Sequence, residues 1–349
     1  MNPVAPPLVS VLMPVYNAAP YVEQAIRSIL EQTVLDFELL IFNDGSTDES
    51  SSVIQSIQDQ RIQLYNAQEN CGYVAHLNEG LRLARGKYIA RMDADDIALP
   101  ERFAKQVELL ENNPSIGLCG TAYVTFGSQQ QFVPVPVDDQ QVREFMLRDC
   151  PMGHPTVMFR KTVVDQYGLQ YDRDFMPAED YRLWVEFSKV SSIQNIPEAL
   201  LLYRVHPHQI SAYANEKQGL RADAVRALQL VDKGFELTVL ELATYCQILR
   251  RQVNAQTPEE LQALLSLMNK ISLQNKELRA YDKYWFDKIF IETWHFVVSN
   301  IQHYKIGHVK PLVLAPKLFA EPYSSRTKFH LFVKLLLGWK AKLSTESNL

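Results

Sequence analysis

The first hundred residues alternate between two hydrophobic periods, and this alternation restricts the fold more than any other feature. Short β-rich runs closed by turn residues cover Val9–Tyr16 and Phe37–Asn43, whereas Tyr21–Glu31 places its apolar residues at helical spacing. The same pattern continues with a helix over Thr47–Gln60, a strand over Arg61–Asn66, a helix over His76–Ala84 and a strand over Lys87–Asp93. It predicts an α/β, Rossmann-like fold, in which helices flank both faces of a mostly parallel sheet.

The pattern changes twice further along the chain. Ile116–Phe126 reads as another strand, and mixed strand and helix signals continue to Ser211. Beyond this point, long stretches rich in Leu, Gln, Glu and Lys carry no strand signal, which predicts packed helices. We therefore predict an α/β domain over residues 1–211, with halves at about 8–100 and 101–211, and a mainly helical region over residues 212–349.

Charge and cysteine usage exclude several classes of protein. The formal net charge of -5 argues against the broad basic surface that nucleic-acid binding needs. The four cysteines are widely spaced and form no C-x-x-C pair, so the sequence indicates neither a zinc site nor a disulfide framework. The N-terminus lacks the basic segment of a signal peptide, and no apolar run approaches the ~18 residues of a membrane span. We therefore expect a cytoplasmic protein.

The C-terminal segment qualifies that expectation. Between Lys305 and Lys342 it carries eight basic residues against one acid, Glu321, interleaved with aromatic and aliphatic side chains such as Phe332 and Trp339. This composition is typical of a helix that lies in an anionic membrane interface. The alternative is a final amphipathic helix that docks on its own protein.

Polar side chains follow three of the predicted strands. Tyr16 and Asn17 follow the first strand, Asp44 follows the second, and the turn Asp93–Asp96 follows the fourth. In sheets of this kind, ligands bind beyond the carboxyl ends of the strands. We therefore expect these three groups of side chains to converge on one site.

The turn after the fourth strand concentrates carboxylates. Asp93, Asp95 and Asp96 repel one another at neutral pH unless a cation, a proton or bulk water relieves the repulsion. Mg²⁺ and Mn²⁺ are usually held by one or two carboxylates, with phosphate oxygens and water completing the coordination. A solvated acidic loop, with Asp96 capping the next helix, is the alternative.

Four motifs, taken in order, resemble a known family. They are "VLMPVYNAAPYVEQAIRSILEQT", "FNDGSTDES", "GKYIARMDADD" and "AEDYRLW". Together they are similar to the family 2 glycosyltransferases of the GT-A fold, which transfer a sugar from a nucleotide-diphosphate donor. The resemblance extends from about Val9 to Ser211 and does not include the C-terminal region.

The resemblance implies a role for each matched residue. The residues expected to bind the nucleotide sugar are Pro14, Val15, Tyr16, Asn17, Asp44, Asn78, Asp93, Ala94 and Asp95. Among them, Tyr16 is expected to lie beside the base and Asp44 to read it, because the N3–H group of uracil needs an acceptor. Asp95, with Asp93 and His206, is expected to hold Mn²⁺ or Mg²⁺ at the donor diphosphate. Capping of the following helix is the alternative role of Asp44.

The motif "AEDYRLW" is expected to carry the proton transfer. The resemblance places the general base at Asp180 and puts Glu179 beside it, where the like charge raises its proton affinity. A single base without a carboxylate nucleophile implies single displacement and inversion at the anomeric carbon. An acidic first turn that favours a helix N-terminus is the structural alternative for this pair.

The resemblance therefore predicts an inverting, metal-dependent glycosyltransferase. Its expected partners are a nucleotide-diphosphate sugar, most simply a UDP-sugar, and a glycan or lipid-linked acceptor of a bacterial-type surface polysaccharide or lipopolysaccharide. Two alternatives stay open, a nucleotidyltransferase and a sugar-nucleotide-binding subunit without catalysis. The chain departs from the family pattern at His76-Leu77, where many relatives carry an arginine before the asparagine matched by Asn78. His154 and Arg160 are expected to be architectural or to lie on the acceptor side.

Overall fold

The computed structural model of this chain describes residues 5–206, 215–301, 308, 310 and 311. The chain forms two compact units, Met1–Val225 and Arg226–Leu349. The first unit contains a sheet with flanking helices, and the described part of the second unit is helical. The predicted α/β fold class, followed by a mainly helical C-terminal region, is confirmed.

The first unit alternates strands and helices as the hydrophobic pattern predicts. The strands are β1 (Val9–Val15), β2 (Phe37–Asn43), β3 (Ile62–Asn66), β4 (Tyr88–Arg91), β5 (Ile97–Ala98), β6 (Ile116–Gly127), β7 (Gln131–Val133), β8 (Met158–Arg160) and β9 (Ser192–Val205). The helices are α1 (Val22–Leu30), α2 (Ser50–Ser56), α3 (Tyr73–Leu83), α4 (Arg102–Asn112), α5 (Asp139–Met146), α6 (Lys161–Tyr167) and α7 (Glu179–Val190). Short 3₁₀ turns cover His154–Thr156 and Arg173–Phe175.

The strands form one nine-stranded sheet in the order β3-β2-β1-β4-β8-β6-β9-β5, with β7 paired to β6. The first four strands in this order are parallel, and Val9 of β1 lies opposite Phe37 of β2 and Tyr88 of β4. The later strands are mixed. β8 runs antiparallel between β4 and β6, whereas β9 pairs with β6 in parallel. β7 follows β6 after a short turn at Gly127, and a connection of that length joins antiparallel strands.

Each face of the sheet carries its own core, because successive side chains of a strand point to opposite faces. Val11 and Met13 of β1 pack in one cluster with Ile26 of α1. Leu12, between them in sequence, packs in the other cluster with Leu77 of α3. Buried runs such as β1 therefore lack the apolar–polar alternation of a half-exposed strand.

Two helix boundaries differ from the predicted ones. α2 begins only at Ser50, because the Asp48 carboxylate accepts hydrogen bonds from the backbone N–H groups of Ala19 at 3.0 Å and Ser50 at 3.0 Å, which hold the preceding residues in a loop. α3 begins at Tyr73, earlier than predicted, directly after Gly72 with φ of 91°. Both boundaries follow from turn geometry rather than from hydrophobic period.

The described residues of the second unit form helices, three of which begin with a side-chain N-cap. They are the C-terminal part of α8 (Asn215–Val231), which contains the unit boundary, then α9 (Val239–Leu249), α10 (Pro258–Leu278) and α11 (Lys283–Ser299). Thr238 and Thr257 each form a capping box with the glutamate three residues later. Such boxes satisfy two N–H groups that the helix would otherwise leave without partners.

The basic tail lies outside the described residues, except for positions 308, 310 and 311. Among the helices that are described, none is both long enough and apolar enough to cross a membrane. The expectation that the tail meets an anionic membrane surface, or packs on its own protein, stays a prediction.

Candidate active site

The turn after β4 gathers three carboxylates. Ligand oxygens of Asp93, Asp95 and Asp96 all lie within 4.8 Å of one another. The end of β9 closes over them, because His206 Nε2 lies 3.0 Å from Asp95 Oδ2 and the backbone N–H of Arg204 donates to Asp96 Oδ1 at 2.8 Å. We call these three aspartates the acidic turn. Asp93, Asp95 and His206, three residues predicted to surround a metal, thus lie in one cluster.

The electrostatics of the acidic turn favour a cation. Burial and the charge of Asp95 raise the pKa of Asp93, while an ion pair with Arg91 opposes that rise. Burial and the charges of Asp93 and Asp95 raise the pKa of Asp96 well above its usual value. Among the described residues, Asp96 Oδ2 is buried and has no hydrogen-bond partner. Because oxygen ligands suit Mn²⁺ and Mg²⁺, these residues fit a hard divalent cation that would satisfy the unpaired oxygen.

The end of β2 positions Asp44, which is 2% exposed. Its carboxylate accepts hydrogen bonds from the backbone N–H groups of Cys71 at 2.7 Å and Gly72 at 3.0 Å. His76 Nε2 lies 2.8 Å from Asp44 Oδ1. Asp44 therefore fixes the turn before α3, and one lone pair of its Oδ2 remains for a further donor.

The end of β1 provides an exposed aromatic ring. Val15 is buried, whereas Tyr16 is 51% exposed and offers a face on which a base could stack. Asn17 has a positive φ of 50° and accepts a hydrogen bond from the backbone N–H of Thr47 at 2.8 Å. Pro14 completes this strand end. The predicted base-binding segment is thus held to the loop that follows β2.

Asn78 has a structural partner that the sequence does not reveal. Its Nδ2 donates to the Tyr171 carbonyl oxygen at 2.9 Å, and its Oδ1 accepts from the Tyr171 backbone N–H at 2.8 Å. The Tyr171 hydroxyl lies 2.9 Å from His154 Nε2. Asn78 therefore ties α3 to the segment before α7, and its contact with a donor stays a prediction.

The first turn of α7 carries the second pair of carboxylates. Glu179 is 3% exposed, and Glu179 Oε1 accepts a hydrogen bond from the Tyr73 hydroxyl at 2.9 Å. Asp180 is more accessible than Glu179 and accepts from the Tyr181 backbone N–H at 2.7 Å. Burial and the neighbouring charge of Asp180 raise the pKa of Glu179 to about 7, and burial raises the pKa of Asp180. A carboxyl group with a pKa near neutrality suits proton transfer.

A buried arginine acts on both groups of carboxylates. Arg91, the last residue of β4, pairs with Asp93 through Nη1. Its charge lowers the pKa values of Asp93, Asp96, Glu179 and Asp180 against the effect of burial. Arg91 was not among the predicted site residues. The signal was available, because an arginine inside a strand as buried as "YIAR" needs a carboxylate partner.

The structure therefore groups the predicted site residues into three sets. Asp93 and Asp95 lie in the acidic turn with His206 beside them, Asp44 lies with Cys71 and His76, and Glu179–Asp180 lies at the start of α7. Ala94 lies buried within the acidic turn. Arg91, Tyr73 and Cys71 join these sets without having been predicted. All belong to the first unit.

Comparison with known proteins gives a consistent result. The profile of Glycosyl transferase family 2 matches residues 10–167. A protein named as an uncharacterized glycosyltransferase of Haemophilus influenzae is 36% identical over 233 residues, which cover 63% of this chain and 72% of that protein. The amylovoran biosynthesis glycosyltransferase AmsE of Erwinia amylovora is 31% identical over 202 residues, 56% of this chain and 75% of that protein.

Solved structures share the fold at low sequence identity. S. aureus TarS, determined with UDP-GlcNAc, superposes with a TM-score of 0.57 at 13% identity and covers 90% of this chain and 93% of that one. The mannosyltransferase PcManGT of Pyrobaculum calidifontis, determined with GDP-Man and Mn²⁺, gives a TM-score of 0.51 at 16% identity, over 96% of this chain and 88% of that one. The chain belongs to glycosyl transferase family 2 and is a glycosyltransferase with the GT-A fold.

Proposed function

We propose that this enzyme transfers a sugar from a nucleotide-diphosphate donor, in the simplest case a UDP-sugar, to a hydroxyl group with inversion and with a divalent cation. The observation that carries the proposal is the pairing of two carboxylate sets in one unit. One set is a hard-cation site with an unpaired buried oxygen at Asp96, and the other contains Glu179 with a pKa of about 7. A transfer of this kind needs both a neutralised leaving group and a proton acceptor.

The residues at the ends of β1, β2 and β4 are proposed to bind the donor. Tyr16 offers its exposed face to the base, and Asp44 keeps one lone pair of Oδ2 for a donor group of that base. Asp95 and Asp93, with His206 beside them, would hold Mn²⁺ or Mg²⁺. When bound, such a cation supplies positive charge that stabilises the departing diphosphate.

The first turn of α7 is proposed to face the acceptor. Asp180 is the proposed base, because it is partly exposed whereas Glu179 is 3% exposed. In this proposal the charge of Glu179 strengthens Asp180 as a base. The charge of Asp180 in turn raises the pKa of Glu179, and the Tyr73 hydroxyl holds the Glu179 carboxylate. The acceptor hydroxyl is expected to give its proton to Asp180 as its oxygen attacks the anomeric carbon. No carboxylate nucleophile is assigned, so the product anomer is expected to be inverted.

A panel of UDP-, GDP- and dTDP-sugars, each with and without Mn²⁺ and with candidate glycan or lipid-linked acceptors, tests this proposal. We expect release of nucleoside diphosphate with one donor, dependence on the cation, and an inverted anomer by NMR. Asp180→Asn should abolish turnover and leave donor binding intact. Asp165→Asn, at an exposed aspartate paired with Lys161 on α6, is the matched control and should retain turnover.

The same assay, extended to nucleoside triphosphates, separates the alternatives. A nucleotidyltransferase would release pyrophosphate from a nucleoside triphosphate, and a binding subunit would bind donor without any release. Turnover retained by Asp180→Asn would contradict the assigned base. The biosynthetic name of AmsE supports an acceptor from a bacterial surface polysaccharide. We place the reaction in the cytoplasm, with the basic tail as the expected contact to the inner membrane.

A further inference from the structure

Asp44, Cys71 and His76 form a second group of metal-binding side chains, which we call the Asp44 cluster. One ligand atom from each residue, an oxygen, a sulfur and a nitrogen, lies within 4.8 Å of the other two. The residues come from the end of β2, the turn before α3 and the first half of α3. The chain is folded so that three chemically different ligands face one another.

Hydrogen bonds alone leave this group unsatisfied. A single ring nitrogen, His76 Nε2, lies both 2.8 Å from Asp44 Oδ1 and 3.2 Å from Cys71 Sγ. A proton on Nε2 is donated to the carboxylate, and the Cys71 thiol also forms a hydrogen bond with Asp44. The other ring nitrogen, Nδ1, is buried and makes no hydrogen bond with any residue that the structure describes. Leaving a buried polar atom unpaired is costly.

The carboxylate of Glu79 lies near the second ring nitrogen of His76, where it could orient a metal-bound ring. Glu79 Oε2 lies 3.8 Å from His76 Nδ1, too far for a hydrogen bond in the present arrangement. Histidine ligands usually donate their second ring N–H to such a carboxylate, which orients the ring. Phe42 stacks on the His76 ring at 5.7 Å and holds its plane.

We infer that Asp44, Cys71 and His76 bind a thiophilic divalent cation, and that Zn²⁺ is the ion that fits best. Sulfur and nitrogen ligands favour Zn²⁺ over Mn²⁺ or Mg²⁺, which the oxygen-only acidic turn suits instead. On binding, the Cys71 thiol loses its proton to solvent, and the single ring proton of His76 resides on Nδ1, facing Glu79. Three protein ligands leave a fourth position for water.

The geometry needs only a small adjustment. Around tetrahedral Zn²⁺, bond lengths of about 2.0 to 2.3 Å separate the ligand atoms by roughly 3.3 to 3.7 Å. The present separations from Nε2 are 2.8 and 3.2 Å, so the ligands must open by a few tenths of an ångström. The opening between Asp44 and His76 requires a small shift of two buried side chains, whereas Cys71 is exposed and can move freely. Its exposure also gives the ion a route of entry.

Titration of the full chain with Co²⁺, in buffer with a non-thiol reductant, tests the site. We expect one Co²⁺ per chain to produce a near-ultraviolet thiolate-to-cobalt band, which Zn²⁺ displaces. Cys71→Ser should abolish the band and weaken Zn²⁺ binding at least tenfold. Glu79→Gln should weaken it roughly tenfold, as expected for the loss of a group that orients a ligand.

Two controls locate the signal. Cys246→Ser removes a reduced thiol in the second unit, and Asp95→Asn alters the acidic turn; both should retain the band. Cys71 is exposed, so Cys71→Ser should melt at the wild-type temperature, and its loss of signal then reflects the missing ligand. Absence of the band in the wild-type chain, or its persistence in Cys71→Ser, would overturn the assignment.

The site has a consequence for catalysis that rests on the proposed function. Asp44 is proposed to face the donor base, so Zn²⁺ on Asp44 should weaken UDP binding in the wild-type chain and have no such effect in Cys71→Ser. If Zn²⁺ binds without changing UDP affinity, the metal site stands, and the proposed contact between Asp44 and the base is the statement that fails.

Discussion

The hydroxyl of Tyr73 should set the pH at which this enzyme becomes active. It donates to Glu179 Oε1 at 2.9 Å, and Glu179 Oε2 is buried without a hydrogen-bond partner among the described residues. This bond stabilises the ionised carboxylate and therefore lowers the pKa of Glu179, against burial and the charge of Asp180, which raise it to about 7. Tyr73→Phe removes the donor and should raise that pKa further.

The size of the effect follows from the bond. A hydrogen bond to a charged group contributes about 1.5 to 3 kcal/mol, and 1.36 kcal/mol corresponds to one pKa unit. In the proposed mechanism the ionised Glu179 strengthens Asp180 as a base, so the acid limb of kcat against pH follows the pKa of Glu179 and should move upward by roughly one to two units in Tyr73→Phe. The plateau at high pH should be largely kept, because the carboxylates are ionised there in both forms.

The assay is donor-dependent release of nucleoside diphosphate between pH 5 and 9. Tyr65→Phe is the matched control, because the Tyr65 hydroxyl donates to Gln63 Oε1 at 3.2 Å and makes no described contact with Glu179. Its profile should equal that of the wild type. An acid limb that stays in place in Tyr73→Phe, or moves to lower pH, would refute the link between this bond and the proton transfer.

Three further outcomes are expected. Removal of divalent cations by EDTA, or the substitution Asp95→Asn, should lower UDP affinity at least tenfold by calorimetry, and Mn²⁺ should restore it only in the wild type. Burial raises the folded-state pKa of Glu179 above its ordinary value of 4.5, so the stability that this group contributes is lost as pH rises towards 7. Glu179→Gln should therefore have a free energy of unfolding on the order of 1–3 kcal/mol above that of the wild type at pH 8 and a similar one at pH 4, by denaturant unfolding. Neutralising Lys334, Lys340 and Lys342 to Gln should reduce sedimentation with anionic liposomes, and unchanged binding would contradict the membrane role of the tail.

Local features of the sequence were enough for the first half of the fold. Hydrophobic period and turn residues placed the strands from Val9 to Arg91 in order, because they depend on neighbours within a few residues. The same dependence on local sequence explains why the first residues of α2 and α3 were predicted wrongly. The Asp48 side chain delays the start of α2 by accepting a hydrogen bond from Ala19, which lies on another segment.

The candidate site was predictable only in part. The acidic turn is contiguous in sequence, so its concentration of charge is visible without a structure. Arg91 was missed as a partner because the sequence shows its position on a strand but not the two carboxylate sets around it. The Asp44 cluster was missed for a similar reason. Asp44 and Cys71 stand 27 residues apart, a spacing that matches no zinc motif.

The sequence by itself determined which chemistry the chain carries: the β/α alternation, the acidic turn and the Glu179–Asp180 pair are all written in short stretches. Only the tertiary structure decided which of these groups act together. Tyr73 meets Glu179 across 106 residues, and His206 meets Asp95 across 111. The proton affinity of a carboxyl group depends on its burial and on the charges that surround it, and both are properties of the folded chain.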